Sequence, residues 1–212
     1  MDGLDITAEE QKAYEVGLSK CWSCKGPVKE TPFCVTCGAV QPPGHANHFL
    51  RFGLKPSFDI DNDWLDQHYF EMQRNLHPDR FATRSDREKS LSQQQATAIN
   101  DAYETLKEPL RRADYLVDLL SSNFLPEGCN LVNDQALLME SMELRQSLED
   151  CETKEQVNIL SHRAQNEIKG CIEKLSKLFK DDDIEGACRY KTRLRYLEKL
   201  IEEIRIHRMK LI

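Results

Sequence analysis

The sequence predicts an all-α protein with a small metal-binding module at its front, and three observations support this. Glycine and proline become scarce after the first third of the chain, where the good helix formers Glu, Lys, Leu, Gln and Arg dominate. Apolar residues in that region recur at spacings of three and four, the period of a helix with one buried face. Ahead of it stand two Cys-x-x-Cys pairs separated by nine residues, a spacing that suits four thiolates around one metal ion.

The metal module is the first element. Cys21-Trp22-Ser23-Cys24 and Cys34-Val35-Thr36-Cys37 place Cys21, Cys24, Cys34 and Cys37 for tetrahedral coordination. Four protein ligands close such a site, so the predicted ion is structural zinc rather than a catalytic metal. A redox reading would need a single Cys-x-x-Cys beside a βαβ pattern, which is absent. Gly26 and Gly38 follow the two knuckles, where a turning backbone benefits from positive φ. Pro42-Pro43-Gly44 reads as the linker that ends the module.

Cys129, Cys151, Cys171 and Cys188 are isolated and read as small apolar residues. With no secretory signal ahead of them, a disulfide framework is not expected and a reducing compartment is. The first ten residues are acidic and contain no Arg, unlike a mitochondrial transit peptide.

The 212 residues, 31% of them charged, with a mean hydropathy of −0.62, leave room for the module and two small domains. We divide them as 1–45 for the module, 46–120 for a middle domain and 121–212 for a C-terminal one. No stretch reaches the ~20 consecutive apolar residues of a membrane helix. A net charge of −7 argues against nucleic acid, whose phosphates need Lys and Arg.

In the middle domain a short helix is expected near Phe49–Phe52. A second carries Leu65, Tyr69, Met72 and Leu76 on one stripe, with Asn62 or Asp63 as its cap. It runs into His77-Pro78-Asp79, where Pro78 cannot continue a helix. That tripeptide is thereby presented on a loop, where function concentrates. A third helix spans about 86–107, with Ile99, Ala102, Tyr103 and Leu106 inward. A fourth, 110–120, follows Pro109, which suits a first turn. No nucleophile or metal set stands near His77 and Asp79 at a recognisable spacing, so an enzyme is not expected.

A helix ending in His-Pro-Asp and followed by an antiparallel helix resembles the J domain. Gln73-Arg74-Asn75-Leu76-His77-Pro78-Asp79-Arg80-Phe81, Ile99-Asn100-Asp101-Ala102-Tyr103-Glu104-Thr105-Leu106 and Pro109-Leu110-Arg111-Arg112-Ala113-Asp114-Tyr115-Leu116 are similar to the HscB family. These are the J-type co-chaperones of iron–sulfur cluster assembly. The likeness covers about residues 48–212, and the cysteine module is similar to that of animal members.

The resemblance implies that His77, Pro78 and Asp79, with Gln73, Arg74 and Arg80, engage a DnaK-type heat-shock chaperone and stimulate its ATPase. Asp79 suits charge-assisted hydrogen bonds from an arginine, and Arg74, Arg80, Arg84 and Arg87 suit steering toward an acidic partner. Asp63, Asp66 and Glu71 make the second helix less basic than in generic J domains, which fits a dedicated chaperone. The resemblance also implies the mitochondrial matrix, with a cytoplasmic form as the alternative.

Three further helical seams follow residue 132. The last holds Ala187, Tyr190, Leu194, Leu197, Ile201 and Ile204. The one before holds Val157, Leu160, Ala164, Ile168, Cys171, Leu175 and Leu178, opened by a Thr153/Gln156 capping box. Asp181–Asp183 should cap the last. Together they read as a three-helix bundle.

The first of the three helices has a seam of Leu137, Leu144 and Leu148, and surplus apolar residues in Leu138, Met139 and Met142, edged by acids. Such a stripe either packs on a neighbour or marks a partner site. The resemblance implies the second: Leu138, Met139, Met142, Glu143 and Asp150, with Tyr196, would hold a cluster scaffold of the IscU type. Gln146 stands where relatives often carry an acid. A general J-domain co-chaperone for other folding clients is the alternative.

Overall fold

The computed structural model describes residues 19–29, 31–121 and 134–211. Among these, seven α-helices follow a minimal β-hairpin. β1 (Ser19–Lys20) pairs antiparallel with β2 (Pro27–Val28). Then come α1 (His48–Arg51), α2 (Asn62–Leu76), a 3-10 turn (Pro78–Phe81), α3 (Asp86–Lys107), α4 (Pro109–Ser121), α5 (Gln135–Glu149), α6 (Lys154–Lys180) and α7 (Ile184–Lys210). Almost all regular structure is helical, as the composition predicts.

The chain forms two compact units. One runs to Pro56 and takes up again over Asp61–Leu106; the other holds Ser57–Ile60 and everything from Lys107 onward. The first unit thus carries the cysteine module with α1, α2 and α3. The second carries α4 with the three C-terminal helices.

In the first unit α2 and α3 form an antiparallel hairpin, with Leu65, Leu76, Ile99, Ala102 and Leu106 buried along the seam. Polar contacts fix its register. The Tyr69 and Tyr103 rings stack at 3.9 Å, an aromatic contact beyond area burial alone. The Tyr69 hydroxyl donates to Asn100 Oδ1 at 3.0 Å, and that of Tyr103 to Asp66 Oδ1 at 3.0 Å. The cap of α2 is Asp61, whose Oδ1 accepts from the N–H groups of Asp63 and Trp64. It lies one residue before the expected Asn62.

In the second unit α6 and α7 pair antiparallel; Val157, Leu160, Ala164 and Ile204 of the predicted seams share one core with Leu148, Cys151 and Leu200, a residue outside the predicted α7 seam, while the predicted Ile201 is only partly buried against it. The Thr153/Gln156 capping box is present and Asp183 caps α7. Gly186 in the first turn of α7 lies close to the Asp183 carboxylate and Leu178, so a Cβ there would make those side chains shift. Ion pairs of Asp134 with Arg189, Glu140 with Arg193 and Arg145 with Glu203 show that α5 runs parallel to α7. Asp114 binds α4 to α7 by pairing with Lys191 at 3.0 Å and Arg195 at 2.7 Å.

Cys151 and Cys171 are free and buried, as expected of apolar cysteines. Cys188, also buried, is disulfide-bonded, which the sequence reading did not foresee. Cys129 and the acidic N-terminus lie outside the described residues.

Candidate functional site

His77 ends α2 with extended backbone, φ −58° and ψ 129°, as the residue before a proline prefers. The chain then turns through the 3-10 segment and re-enters the interior at Phe81, which is buried like Leu76 before it. The tripeptide is therefore a short exposed arch between two buried anchors. Its first anchor has a polar lock: with Pro78 unable to continue the helix, the Leu76 carbonyl accepts instead from the buried Ser92 hydroxyl of α3 at 2.7 Å.

Inside the arch the Asp79 backbone N–H donates to His77 Nδ1 at 3.3 Å. In that state Nδ1 has no proton for the Asp79 carboxylate, whose Oδ2 stands 3.6 Å away, beyond hydrogen-bond reach. The imidazole proton then sits on Nε2. An N–H donor and a carboxylate acceptor are offered side by side, at side-chain exposures of 56% and 91%. The arrangement suits recognition of a partner's donor and acceptor.

The other residues expected at this surface divide. Arg74, Pro78 and Arg80 are exposed, with Arg80 donating to Asn75 Oδ1 at 3.4 Å. Gln73 is half-buried and its amide is turned inward, donating to Asn100 Oδ1 and to the Ala96 carbonyl.

The four module cysteines converge, with all four sulfurs within 4.8 Å of one another. Cys21 and Cys37 stand 3.7 Å apart, as do Cys24 and Cys34. Four Zn–S bonds of about 2.3 Å at tetrahedral angles separate the sulfurs by about 3.8 Å. Disulfides, with S–S near 2.05 Å, do not fit. The four cysteines can hold one metal ion.

The two knuckles repeat one geometry. The N–H of the residue after each second cysteine donates to the first cysteine's carbonyl, Lys25 to Cys21 at 3.0 Å and Gly38 to Cys34 at 2.8 Å. Both residues have positive φ, 63° and 71°. In the first knuckle it is therefore Lys25, and not Gly26, that takes the left-handed turn. Burial raises the Cys21 thiol, but N–H donors of Cys24 and Ser23 and the neighbouring thiols outweigh it and lower it to about 6. The Gly26 N–H lowers the Cys24 thiol, but the surrounding cysteines raise it to about 11.

The third site is the outer face of α5. Leu138, Met139 and Met142 are exposed at 41%, 57% and 67%, so the surplus apolar stripe stays uncovered. Glu143 and Asp150 are exposed beside it, the latter accepting from Gln146 at 3.0 Å. Tyr196 is half-buried on α7 and lines a crevice with Leu137, Ser141 and Leu144 of α5.

Arg193, which sequence reasoning missed, secures this face from behind. Its guanidinium donates to both oxygens of Glu140 on α5, to Glu167 on α6 at 2.7 Å, and to the Cys171 sulfur at 3.4 Å. The Glu140 bonds hold Arg193 above its ordinary pKa, while burial pushes the Cys171 thiol up. These partners lie 26 and 53 residues from Arg193, so no local pattern could announce them.

Comparisons with known proteins identify the family. The family model for the HSCB C-terminal oligomerisation domain matches residues 133–205. The iron–sulfur cluster co-chaperone protein HscB of Homo sapiens is 32% identical over 197 residues, covering 91% of this chain and 83% of that protein. The co-chaperone protein HscB homolog of Aliivibrio fischeri is 36% identical over 162 residues, covering 74% and 94%. Among solved structures, human HscB matches at a TM-score of 0.80 and 32% identity over 89% of this chain and 98% of its own. HscB from Vibrio cholerae matches at 0.69 and 32%, over 79% and 100%. No described helix is long and apolar enough to cross a membrane. With relatives at this identity matched along most of their length, the chain belongs to the HscB family of iron–sulfur cluster co-chaperones.

Proposed function

We propose that this protein binds an iron–sulfur cluster scaffold of the IscU type through α5 and Tyr196, and delivers it to a DnaK-type heat-shock chaperone. The chaperone's ATPase is stimulated by His77, Pro78 and Asp79, with Arg74 and Arg80 steering the encounter and Gln73 fixing the helix behind them. The protein itself catalyses nothing. The observation that carries the reading is the pairing of two exposed recognition surfaces on one chain. One is a polar arch between buried anchors, and the other an uncovered Leu138/Met139/Met142 stripe edged by Glu143 and Asp150. Two grips on one client raise its effective concentration at the chaperone.

Cys21, Cys24, Cys34 and Cys37 would hold a structural zinc ion, which organises a segment too short for its own core. By family resemblance the protein works in the mitochondrial matrix. The ATPase of a DnaK-type chaperone, measured with and without scaffold, tests the proposal. Triple alanine substitution of Leu138, Met139 and Met142 should abolish scaffold binding yet leave direct ATPase stimulation; unaltered scaffold affinity would discard the α5 assignment. Cys34→Ser should remove the zinc, and unchanged metal content would sink that reading.

A further inference from the structure

The cysteine module touches α3 at two points, and one contact begins at a metal ligand. The Gln41 side-chain amide donates to Cys21 Sγ at 3.3 Å and to the Ala39 carbonyl at 2.8 Å. The Gln41 main chain is fixed as well: its N–H donates to the Pro32 carbonyl at 2.8 Å. Its own carbonyl accepts from the Gln95 amide of α3 at 2.9 Å, 54 residues away. Gln41 and Gln95 are only 4% and 3% exposed. Buried amides placed in this way depend on each other, because a buried donor or acceptor left without its partner is destabilising.

The second contact uses the first knuckle. Trp22 lies between Cys21 and Cys24, and its indole N–H donates to the Val40 carbonyl at 2.6 Å. The Arg87 guanidinium, in the first turn of α3, lies 4.4 Å from the centre of the indole ring, within cation–π range. The module therefore holds α3 at residues 87 and 95. Ser92, whose hydroxyl locks the Leu76 carbonyl at the foot of the arch, lies between them.

We propose that the cysteine module is a metal-dependent brace on the His77-Pro78-Asp79 arch, with Gln41 and Gln95 as its positioning residues. With the four thiolates gathered on a cation, Cys21 Sγ and the knuckle backbone hold Gln41 and Trp22 in place, and these hold α3. Without the cation, a pair of two-residue strands is far below what stands alone in water, and the sulfurs no longer share a centre. Gln95 and Arg87 then lose their partners, and the Ser92 lock on Leu76 is left to the hairpin alone. This inference rests on the metal reading above, and its test reads structure rather than chaperone activity, so the two can fail separately.

The experiment is amide hydrogen exchange on the full chain, zinc-loaded and after stripping with a chelator, with zinc content measured alongside. Stripping should speed exchange at least tenfold over residues 86–99 and 76–81. In the Arg87→Ala/Gln95→Ala double variant zinc content should be unchanged. Exchange in those segments should already be fast with zinc bound, and stripping should add less than twofold. Arg87→Ala alone, a change at an exposed residue, should show an intermediate acceleration. If stripping frees the module's own amides but leaves residues 76–81 and 86–99 unchanged, the brace is overturned and the zinc site stands. A chain that takes up no zinc overturns both.

Discussion

The Ser92 hydroxyl, buried in α3, donates to the main-chain carbonyl of Leu76 at 2.7 Å, one residue before His77. That carbonyl would take the N–H of Arg80 if α2 continued, but Arg80 donates instead to His77. Ser92→Ala leaves a buried carbonyl without this donor and should cost about 1–3 kcal/mol. Urea unfolding followed by the near-ultraviolet signal of Tyr69 and Tyr103 measures the loss. Ser92→Cys, which keeps a weak donor, should lose less. A Ser92→Ala protein as stable as the original would show that the lock has no energetic role.

His77 has two nitrogens with separate duties, and two substitutions separate them. His77→Asn keeps an acceptor near the position of Nδ1 for the Asp79 N–H and removes the outward Nε2. His77→Gln does the reverse. Both sites are exposed, so stability should change by less than about 0.5 kcal/mol in each. Stimulation of the chaperone ATPase should fall at least tenfold with His77→Asn, with scaffold affinity within twofold of the original protein. A His77→Asn variant that stimulates normally would show that Nε2 makes no contact.

The helices were legible because their apolar spacing is local, as were the Thr153/Gln156 box and the Asp183 cap. The same holds for the cysteine quartet, whose ligands lie within one short segment. Ser85 and Glu88 form a second box at the start of α3, with Ser85 N–H and Glu88 Oε2 at 3.3 Å and Glu88 N–H and Ser85 Oγ at 3.3 Å. Its Ser-x-x-Glu spacing is as local as that of the Thr153/Gln156 box. What no spacing could supply was the Gln41–Gln95 bond or the Arg193 cluster, whose members meet only after the chain has folded. Lys25 was hidden for another reason: glycine next to it drew the left-handed turn to the wrong residue.

Glu198 on α7 should weaken the second unit at neutral pH. Burial raises its pKa above the ordinary 4.5, and Glu108 and Asp114 raise it further, against a smaller opposing pull from Arg195. A carboxyl whose folded pKa lies above its unfolded value stabilises the fold when protonated, and that contribution is lost as pH rises through the folded pKa. Glu198→Gln should therefore stabilise the protein at pH 7. Because Glu198 is partly exposed, screening limits the gain to a few tenths of a kcal/mol, up to about 1. The two proteins should converge below pH 4.5, where the original Glu carries its proton in both states. An equal gain at pH 4 and pH 7 would show that packing, and not charge, is responsible.

Arg193 should be the costliest single loss behind the α5 face. One Nη2 serves Glu140 at 2.6 Å and Glu167 at 2.7 Å. Arg193→Leu thus removes a charge and leaves two carboxylates facing each other on partly buried helices. Stranding a fully buried charge costs about 3–5 kcal/mol, and the roughly one-third exposure of both acids reduces this to about 2 kcal/mol. Arg193→Lys keeps the charge but not the fork that reaches two acids at once, so it should lose about half as much. Replacing Glu140 and Glu167 by Gln in the Arg193→Leu background should recover most of the stability, since no stranded charge remains. Scaffold affinity should stay reduced in that rescued protein, because the Asp134–Arg189 and Arg145–Glu203 pairs at the two ends of α5 are then left to hold its exposed Met139 and Met142 face without the central Glu140 pair. Recovery of affinity together with stability would assign Arg193 to the fold alone.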